Sequence, residues 1–474
     1  MSTSQLDGSA RLRLSPRCVL VEDSDGGGLA YHALHGRPRL LDGAAVAALK
    51  HLESEPTVNE MVTTFGPVAG SFVSSLVDAG LVEAVGVGSE EVTGTDGDHA
   101  VAEQRIALIT KAAVGANLSR LELAISDACN LACPHCMHFG NNAESLARQS
   151  KMRMDFESAK RSVDAFVVLV RRHGTTTIRL HFGNGEPLTN FGVLKKVLEY
   201  CDELAGIDFS YAMNTNLTLL TYEMAVVLKH YGVKIATSVD GTQQANDLIR
   251  IDRRGRGTYR RIIEKFDLLR QVGHPIEGFT ITVTDRNFAY IDTDVLDLAA
   301  EYGVTDVSMD FDLVFSNRFT PQDCVAKLIR MRTHARSLGI SFYGTWETPF
   351  RNLLNSVQSG IVGAFCPAMQ GETLEFGVDG DIRTCGHTST VVGERFDPET
   401  ALGSDGRLAS LIGNRAPGAN EPCRGCIIEG PCAGQCQVTR EASVRDSKVF
   451  DFNCELLRGA TEALVQDYIR AARL

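Results

Sequence analysis

Leu121-Glu-Leu-Ala-Ile-Ser-Asp127-Ala-Cys129-Asn-Leu-Ala-Cys133-Pro-His-Cys136 is the stretch on which the reading of this chain turns. An apolar run of strand type leads straight into Cys-x3-Cys-x2-Cys, so three thiols leave one tight loop at the end of a strand. Thiolates hold iron–sulfur cubes, normally four to a cube. Three would leave one iron open to a small molecule. Zinc is the other reading, with His135 or His138 as a fourth ligand. The rest of the chain weighs against zinc. A second apolar run ends in the turn Gly185-Glu186-Pro187, and seven further cysteines fill the C-terminal quarter.

At 474 residues the chain exceeds one ordinary core, and two or three domains are expected. Its 44% hydrophobic and 22% charged residues are ordinary for a globular protein. No stretch approaches the ~20 apolar residues of a membrane span. Met1-Ser-Thr-Ser-Gln-Leu-Asp lacks the basic start and apolar run of a signal peptide. A cytoplasmic protein with no membrane partner is therefore expected. The formal net charge of −12 repels a phosphate backbone and argues against nucleic acid. The basic run Arg250, Arg253, Arg254, Arg256, Arg260 and Arg261 reads as a solvated helix start with some ligand contact. Thirteen cysteines without a secretory signal argue for metal or redox chemistry over disulfides. Outside the two cysteine-rich segments stand Cys18, Cys201 and Cys324, and the first two read as small buried hydrophobes.

Residues 10–86 read as a compact domain. Strand-like runs at 18–22 and 29–34 flank the turn Asp25-Gly-Gly-Gly28, and amphipathic helical patterns follow at 43–53, 57–65 and 69–80. Residues 87–104, rich in glycine and acid, read as a linker. From 118 to 338 strands alternate with helices. Strands are predicted at 121–127, 177–183, 208–213, 233–239, 278–284 and 304–311. Helices are predicted near 155–173, 191–205, 221–231, 258–272, 291–302 and 321–337. Such repeats imply an α/β fold of parallel strands joined by right-handed crossovers, with ligand groups at the C-terminal strand ends. The cysteine loop, the Gly-Glu-Pro turn, Asn214-Thr-Asn216 and Ser238-Val-Asp240 all fall at such ends. Residues 339–365 read as a bridging segment and 366–465 as a cysteine-rich domain, with a hairpin over Phe376–Arg383.

These motifs resemble the radical S-adenosylmethionine (SAM) superfamily, in its subfamily with a C-terminal SPASM iron–sulfur domain. The resemblance implies a partial (β/α)6 barrel and three [4Fe–4S] clusters. Cys129, Cys133 and Cys136 would hold the SAM-binding cluster, whose reduction cleaves SAM to a 5′-deoxyadenosyl radical that abstracts hydrogen from an unactivated C–H. Gly185 and Glu186 would receive the SAM amino group, with Asn184 in place of the usual first glycine. Asn214, Asn216, Ser238 and Asp240 suit the ribose and methionine, and Arg250 the SAM carboxylate. Cys366, Cys385 and Cys436 would serve a first auxiliary cluster; Cys423, Cys426, Cys432 and Cys454 a second. The first is one ligand short, so either Cys324 completes it or one iron is open to substrate. No motif ranks a catalytic base among His387, Asp310, Asp312 and Tyr343.

The N-terminal domain is similar to the winged-helix, PqqD-like recognition elements of ribosomally made, post-translationally modified peptides (RiPPs). The combination implies a radical SAM oxidoreductase that installs a crosslink or other C–H modification on a precursor peptide. The N-terminal domain would bind the leader, and a flavodoxin or ferredoxin would donate electrons. Small-molecule oxidation is an alternative, and so is sulfatase maturation. Gly386 stands where sulfatase-maturing relatives place an aspartate after the second SPASM cysteine. An iron–sulfur electron-transfer or sensing protein that no longer cleaves SAM is a further class, and the intact first motif argues against it.

Overall fold

The computed structural model describes residues 6–85, 95–136, 152–312 and 319–472. The first of these segments holds a three-stranded antiparallel sheet, β2 (Cys18–Glu22), β3 (Gly28–His32) and β4 (Gly36–Leu41), with β3 central. The helices α1 (Gly43–His51), α2 (Val58–Phe65) and α3 (Val68–Asp78) follow. Thr57 and Glu60 close a reciprocal capping box at the start of α2. A second ribbon pairs β1 (Arg11–Leu14) with β5 (Val82–Val85). Leu12, Leu49, Met61, Val73 and Leu76 give this unit a core of its own.

The expected linker is corrected in part. Residues 86–94 lie outside the described residues, but 95–104 begin the helix α4 (Thr95–Val114). Its glycine- and acid-rich start hides a helix whose later turns reach the molecule: Ala112 is buried, and the Gln104 side-chain amide donates to the Val362 carbonyl.

Alternation of apolar and polar residues builds the main sheet. In β6 (Arg120–Ser126) Leu121, Leu123 and Ile125 are buried among the core, while Glu122, Ala124 and Ser126 alternate with them. β7 (Thr177–Asn184), β8 (Asp208–Thr215), β9 (Lys234–Ser238), β10 (Gly278–Val283) and β11 (Asp306–Phe311) follow in parallel, each beside its predecessor. Between them run α5 (Phe156–Arg171), α6 (Phe191–Asp202), α7 (Tyr222–His230), α8 (Tyr259–Val272) and α9 (Asp294–Glu301), and α10 (Pro321–Ser337) follows β11.

Two boundaries differ from expectation. The parallel run has a seventh strand, β12 (Ser341–Tyr343), inside the segment expected only to bridge, followed by α11 (Thr348–Ser359). Three residues are too few to show a period. On the other side, β13 (Thr373–Phe376) pairs in parallel with β6, and β14 (Ile382–Arg383) closes the expected hairpin antiparallel to β13. The sheet is thus nine strands long with β12 and β14 at its ends. Part of the cysteine-rich segment is continuous with it. Among the described residues no helix is long and apolar enough to cross a membrane.

The N-terminal unit is docked. Val21, Leu29 and Tyr31 join the main core. The Arg37 N–H donates to Ser356 Oγ at 2.8 Å, its Nε to the Gly360 carbonyl at 2.9 Å, and the Gly430 N–H to the Ala33 carbonyl at 2.9 Å. A Cβ on Gly430 would run into the Leu34 carbonyl oxygen. Gly430→Ala should therefore loosen this contact at a cost of about 1–3 kcal/mol. Brief proteolysis is expected to release an N-terminal fragment that the parent chain withholds; equal resistance of the two proteins would show that this contact does not hold the unit down.

Candidate functional site

The loop after β6 is tied to two neighbours before any metal is considered. Gly185 N–H donates to the Ser126 carbonyl and Glu186 N–H to the Ala128 carbonyl, both at 3.0 Å. A Cβ on Gly185 would stand 2.8 Å from the Ala128 oxygen, so only glycine allows this approach. Asn184 takes the left-handed conformation at φ 79°, which asparagine tolerates, and its amide donates to Asp127 Oδ1 at 3.1 Å. Asn184, in place of the usual glycine, can therefore still follow a left-handed backbone path. From the other side Ala132 N–H donates to the Ile251 carbonyl at 2.8 Å, and Arg253 Nη2 to the Cys129 carbonyl at 2.8 Å.

Cys129, Cys133 and Cys136 leave this loop within electrostatic reach of one another, although among the described residues no three His, Cys, Asp or Glu side chains are grouped closely enough to hold a single metal ion. Burial pushes the Cys129 thiol up to about 12 and the Cys133 thiol up to about 11, and each thiol of the set raises its neighbours further. N–H groups already point at sulfur: Leu131 N lies 3.4 Å from Cys129 Sγ and Asn216 Nδ2 3.8 Å. A dry group of thiols with N–H donors aimed at it suits a cationic iron–sulfur core, which would supply the charge that deprotonates them. His135 Nδ1 is buried without a hydrogen-bond partner, and burial holds its ring neutral, down to about 3. His138 lies outside the described residues.

Beside the loop, Glu186 is buried at 1% exposure. Its Oε1 accepts from Leu188 N and Thr215 Oγ1, and its Oε2 from Asn216 N. Burial raises its carboxyl and these three bonds oppose the rise. Asn214 is exposed on β8 and Ser238 ends β9. Asp240 and Arg250, expected to meet ribose and carboxylate separately, instead grip one another. Arg250 Nε reaches Asp240 Oδ2 at 2.6 Å and Nη2 reaches Oδ1 at 2.8 Å, both residues being buried. Thr282 N–H adds a bond to Oδ1 at 2.8 Å. The guanidinium still faces Cys133 and Cys136 electrostatically.

The seven C-terminal cysteines divide into two sets. Cys385 and Cys436 each feel Cys366, and Cys385 feels Cys436. Their sulfurs accept N–H bonds from His387 and from Val438 and Thr439, and Cys366 from Ala368 and Met369. Cys432 and Cys454 each feel Cys423 and Cys426, and all four line one small cavity with Gln435 and Arg458. Gln435 Nε2 donates to Cys454 Sγ at 2.8 Å. Arg415, 4% exposed, is in electrostatic reach of Cys432 and Cys423 in one set and Cys436 in the other. A buried cation there fits two anionic clusters. Cys324 is fully buried on α10, beside Asp323 and Lys327, with no thiol of the first set among its electrostatic neighbours. Cys201 is buried as expected, whereas Cys18 is only partly so.

A polar group on alternate strand positions lies beside the set of Cys366, Cys385 and Cys436. The His387 ring feels Glu122, His181 and Asp310. Asp310 Oδ1 accepts from Thr345 N at 2.8 Å and Oγ1 at 2.7 Å, and Tyr343 feels Asp310 and Arg179. Asp312 lies just past β11, its N–H donated to the Val283 carbonyl. Glu122, His181 and Glu375 escaped the sequence reading. Their signal was a charged or polar residue at alternate positions of otherwise apolar strands, Leu-Glu-Leu, Leu-His-Phe and Leu-Glu-Phe.

Residues 123–298 match the family model of the Radical SAM superfamily. The radical SAM cyclopropyl synthase TigE of Paramaledivibacter caminithermalis is 22% identical over 437 residues, 90% of either chain. The serine-type anaerobic sulfatase-maturating enzyme of Klebsiella aerogenes is 27% identical over 168 residues, 35% of this chain and 39% of that enzyme. Among solved structures, native anSMEcpe with bound AdoMet is similar in fold, with a TM-score of 0.55 at 18% identity over 73% of this chain and all of that one. The family model begins within β6 and runs into α9, taking in the thiol loop and the Gly185-Glu186 turn that clamps it. On that match, carried by the same residues that the geometry singles out, residues 123–298 form a radical SAM domain.

Proposed function

We propose that this protein is a peptide maturase that removes hydrogen from a ribosomally made precursor and so installs a crosslink or other C–H modification. The observation that carries this reading is the division of ten cysteines into sets of three, three and four beside a docked N-terminal domain. SAM, bound at a [4Fe–4S] cluster on Cys129, Cys133 and Cys136, supplies a hydrogen-abstracting radical on one-electron reduction. The chain's own groups hold it. Glu186 Oε2 has one donor and retains capacity for the SAM ammonium group. Asn214, Asn216 and Ser238 present short polar groups at neighbouring strand ends. The Asp240–Arg250 pair keeps a guanidinium beside the thiol loop. Auxiliary clusters on the other two sets would carry electrons to or from a flavodoxin or ferredoxin in the cytoplasm.

A peptide substrate is supported by the anSMEcpe structure with bound AdoMet and the Cp18Cys peptide, at a TM-score of 0.53. Leader binding is proposed at the Arg39–Leu40 end of β4, exposed beyond the part that Arg37 ties to α11, where an extended peptide can add a strand. Sulfatase maturation is the second reading, favoured by the Klebsiella aerogenes match. Gly386 leaves it without a carboxylate after Cys385.

Anaerobic reconstitution should give about twelve irons, three cubes of four. Replacing Cys129, Cys133 and Cys136 together by alanine should remove about four of them and end 5′-deoxyadenosine formation; unchanged iron would show that the loop holds no cluster. Leu40→Asp should weaken turnover of the cognate precursor by about tenfold or more, about 1.4 kcal/mol, while reductive SAM cleavage persists. Undiminished turnover would remove β4 from leader recognition.

A further inference from the structure

The first auxiliary set offers three thiols, and Cys324 is buried elsewhere. The turn after Cys385 shows what else reaches that place. Its successive N–H groups serve two acceptors: Gly386 donates to Glu122 Oε2 at 3.1 Å, and His387 donates to Cys385 Sγ. The carboxylate and the thiol thus lie side by side on one short turn. A Cβ at Gly386 would stand in ordinary van der Waals contact with Glu122 Oε2 at 3.5 Å, which places the carboxylate directly against this turn. Glu122 is also in electrostatic reach of Cys366.

Two neighbours with acid groups compete for the role. Glu375, opposite Glu122 in the strand register, has both oxygens buried without hydrogen bonds. Arg383 Nη1 pairs with its Oε2 at 3.6 Å, so this carboxylate already has a cationic partner. Asp310 is in electrostatic reach of Cys436, and Thr345 occupies its Oδ1 with two bonds. Glu122 is the carboxylate in reach of two thiols of the set, held by the turn that carries one of them.

Resting on the cluster assignment above, we infer that Glu122 supplies the fourth ligand of the first auxiliary cluster, a carboxylate oxygen in place of a fourth thiolate. That iron is then closed to substrate until Glu122 releases it.

The test uses the full chain with Cys129, Cys133 and Cys136 changed to alanine, so that only auxiliary clusters remain. Iron content and the electron paramagnetic resonance spectrum of the reduced protein are read with and without cyanide. The parent is expected to hold about eight irons and to keep its spectrum in cyanide. Glu122→Ala should either shift one component with cyanide or lose about four irons. Glu122→Cys should hold all eight and resist cyanide. A parent as cyanide-sensitive as Glu122→Ala overturns the inference, and so does a Glu122→Ala protein identical to its parent. Loss of iron in Glu122→Cys as well makes the effect structural and overturns it too. Cyanide sensitivity gained by Asp310→Asn, with Glu122→Ala resistant, moves the ligand to Asp310. A parent with no more than about four irons refutes the two-cluster reading itself, a result distinct from all the others.

Discussion

Two backbone hydrogen bonds, from Gly185 to Ser126 and from Glu186 to Ala128, tie the end of one strand to the turn after the next. They form only because position 185 has no side chain. Everything at this end of the sheet inherits that constraint. It places the thiol loop across the strand ends and delivers the Glu186 carboxylate beside it. It brings Asn216, whose N–H holds Glu186, within reach of Cys129 Sγ. A loop without this clamp would carry the same cysteines without a common direction.

Burial without charge compensation is the second theme. Burial favours the neutral thiol at Cys129, Cys133, Cys366, Cys385, Cys423, Cys432, Cys436 and Cys454. The chain answers with N–H groups pointed at sulfur and with cations placed among the sets, Arg250 by the first and Arg415 between the other two. The Asp240–Arg250 pair shows the limit of this supply. A buried guanidinium needs a partner, and removing that partner costs about 3–5 kcal/mol, so Asp240 is first a counter-ion. Its carboxylate is not free to contact ribose while both oxygens hold Arg250.

Periodicity and spacing made most of the parallel sheet legible, because apolar strand runs alternate with amphipathic helical patterns. What stayed hidden depends on contacts remote in sequence. β12 is three residues long, and β13 and β14 join the sheet from more than two hundred residues beyond β6. The start of α4 has the composition of a linker, and its stability comes from packing of its later turns. Arg250 and Asp240 were each read as ligand groups because sequence shows a charge and not its partner. Glu122 went unnoticed for the same reason. A lone acid in a strand looks like a surface residue until Gly386 is seen to bond it.

The claim that matters most is that hydrogen leaves a peptide and arrives on the adenosyl group. Incubating the reduced holoprotein with SAM and a precursor peptide deuterated throughout its core region tests it directly. Mass spectrometry of the released 5′-deoxyadenosine should show deuterium incorporated from the peptide. Unlabelled 5′-deoxyadenosine alongside a modified peptide, or cleavage of SAM with the peptide untouched, would contradict the account.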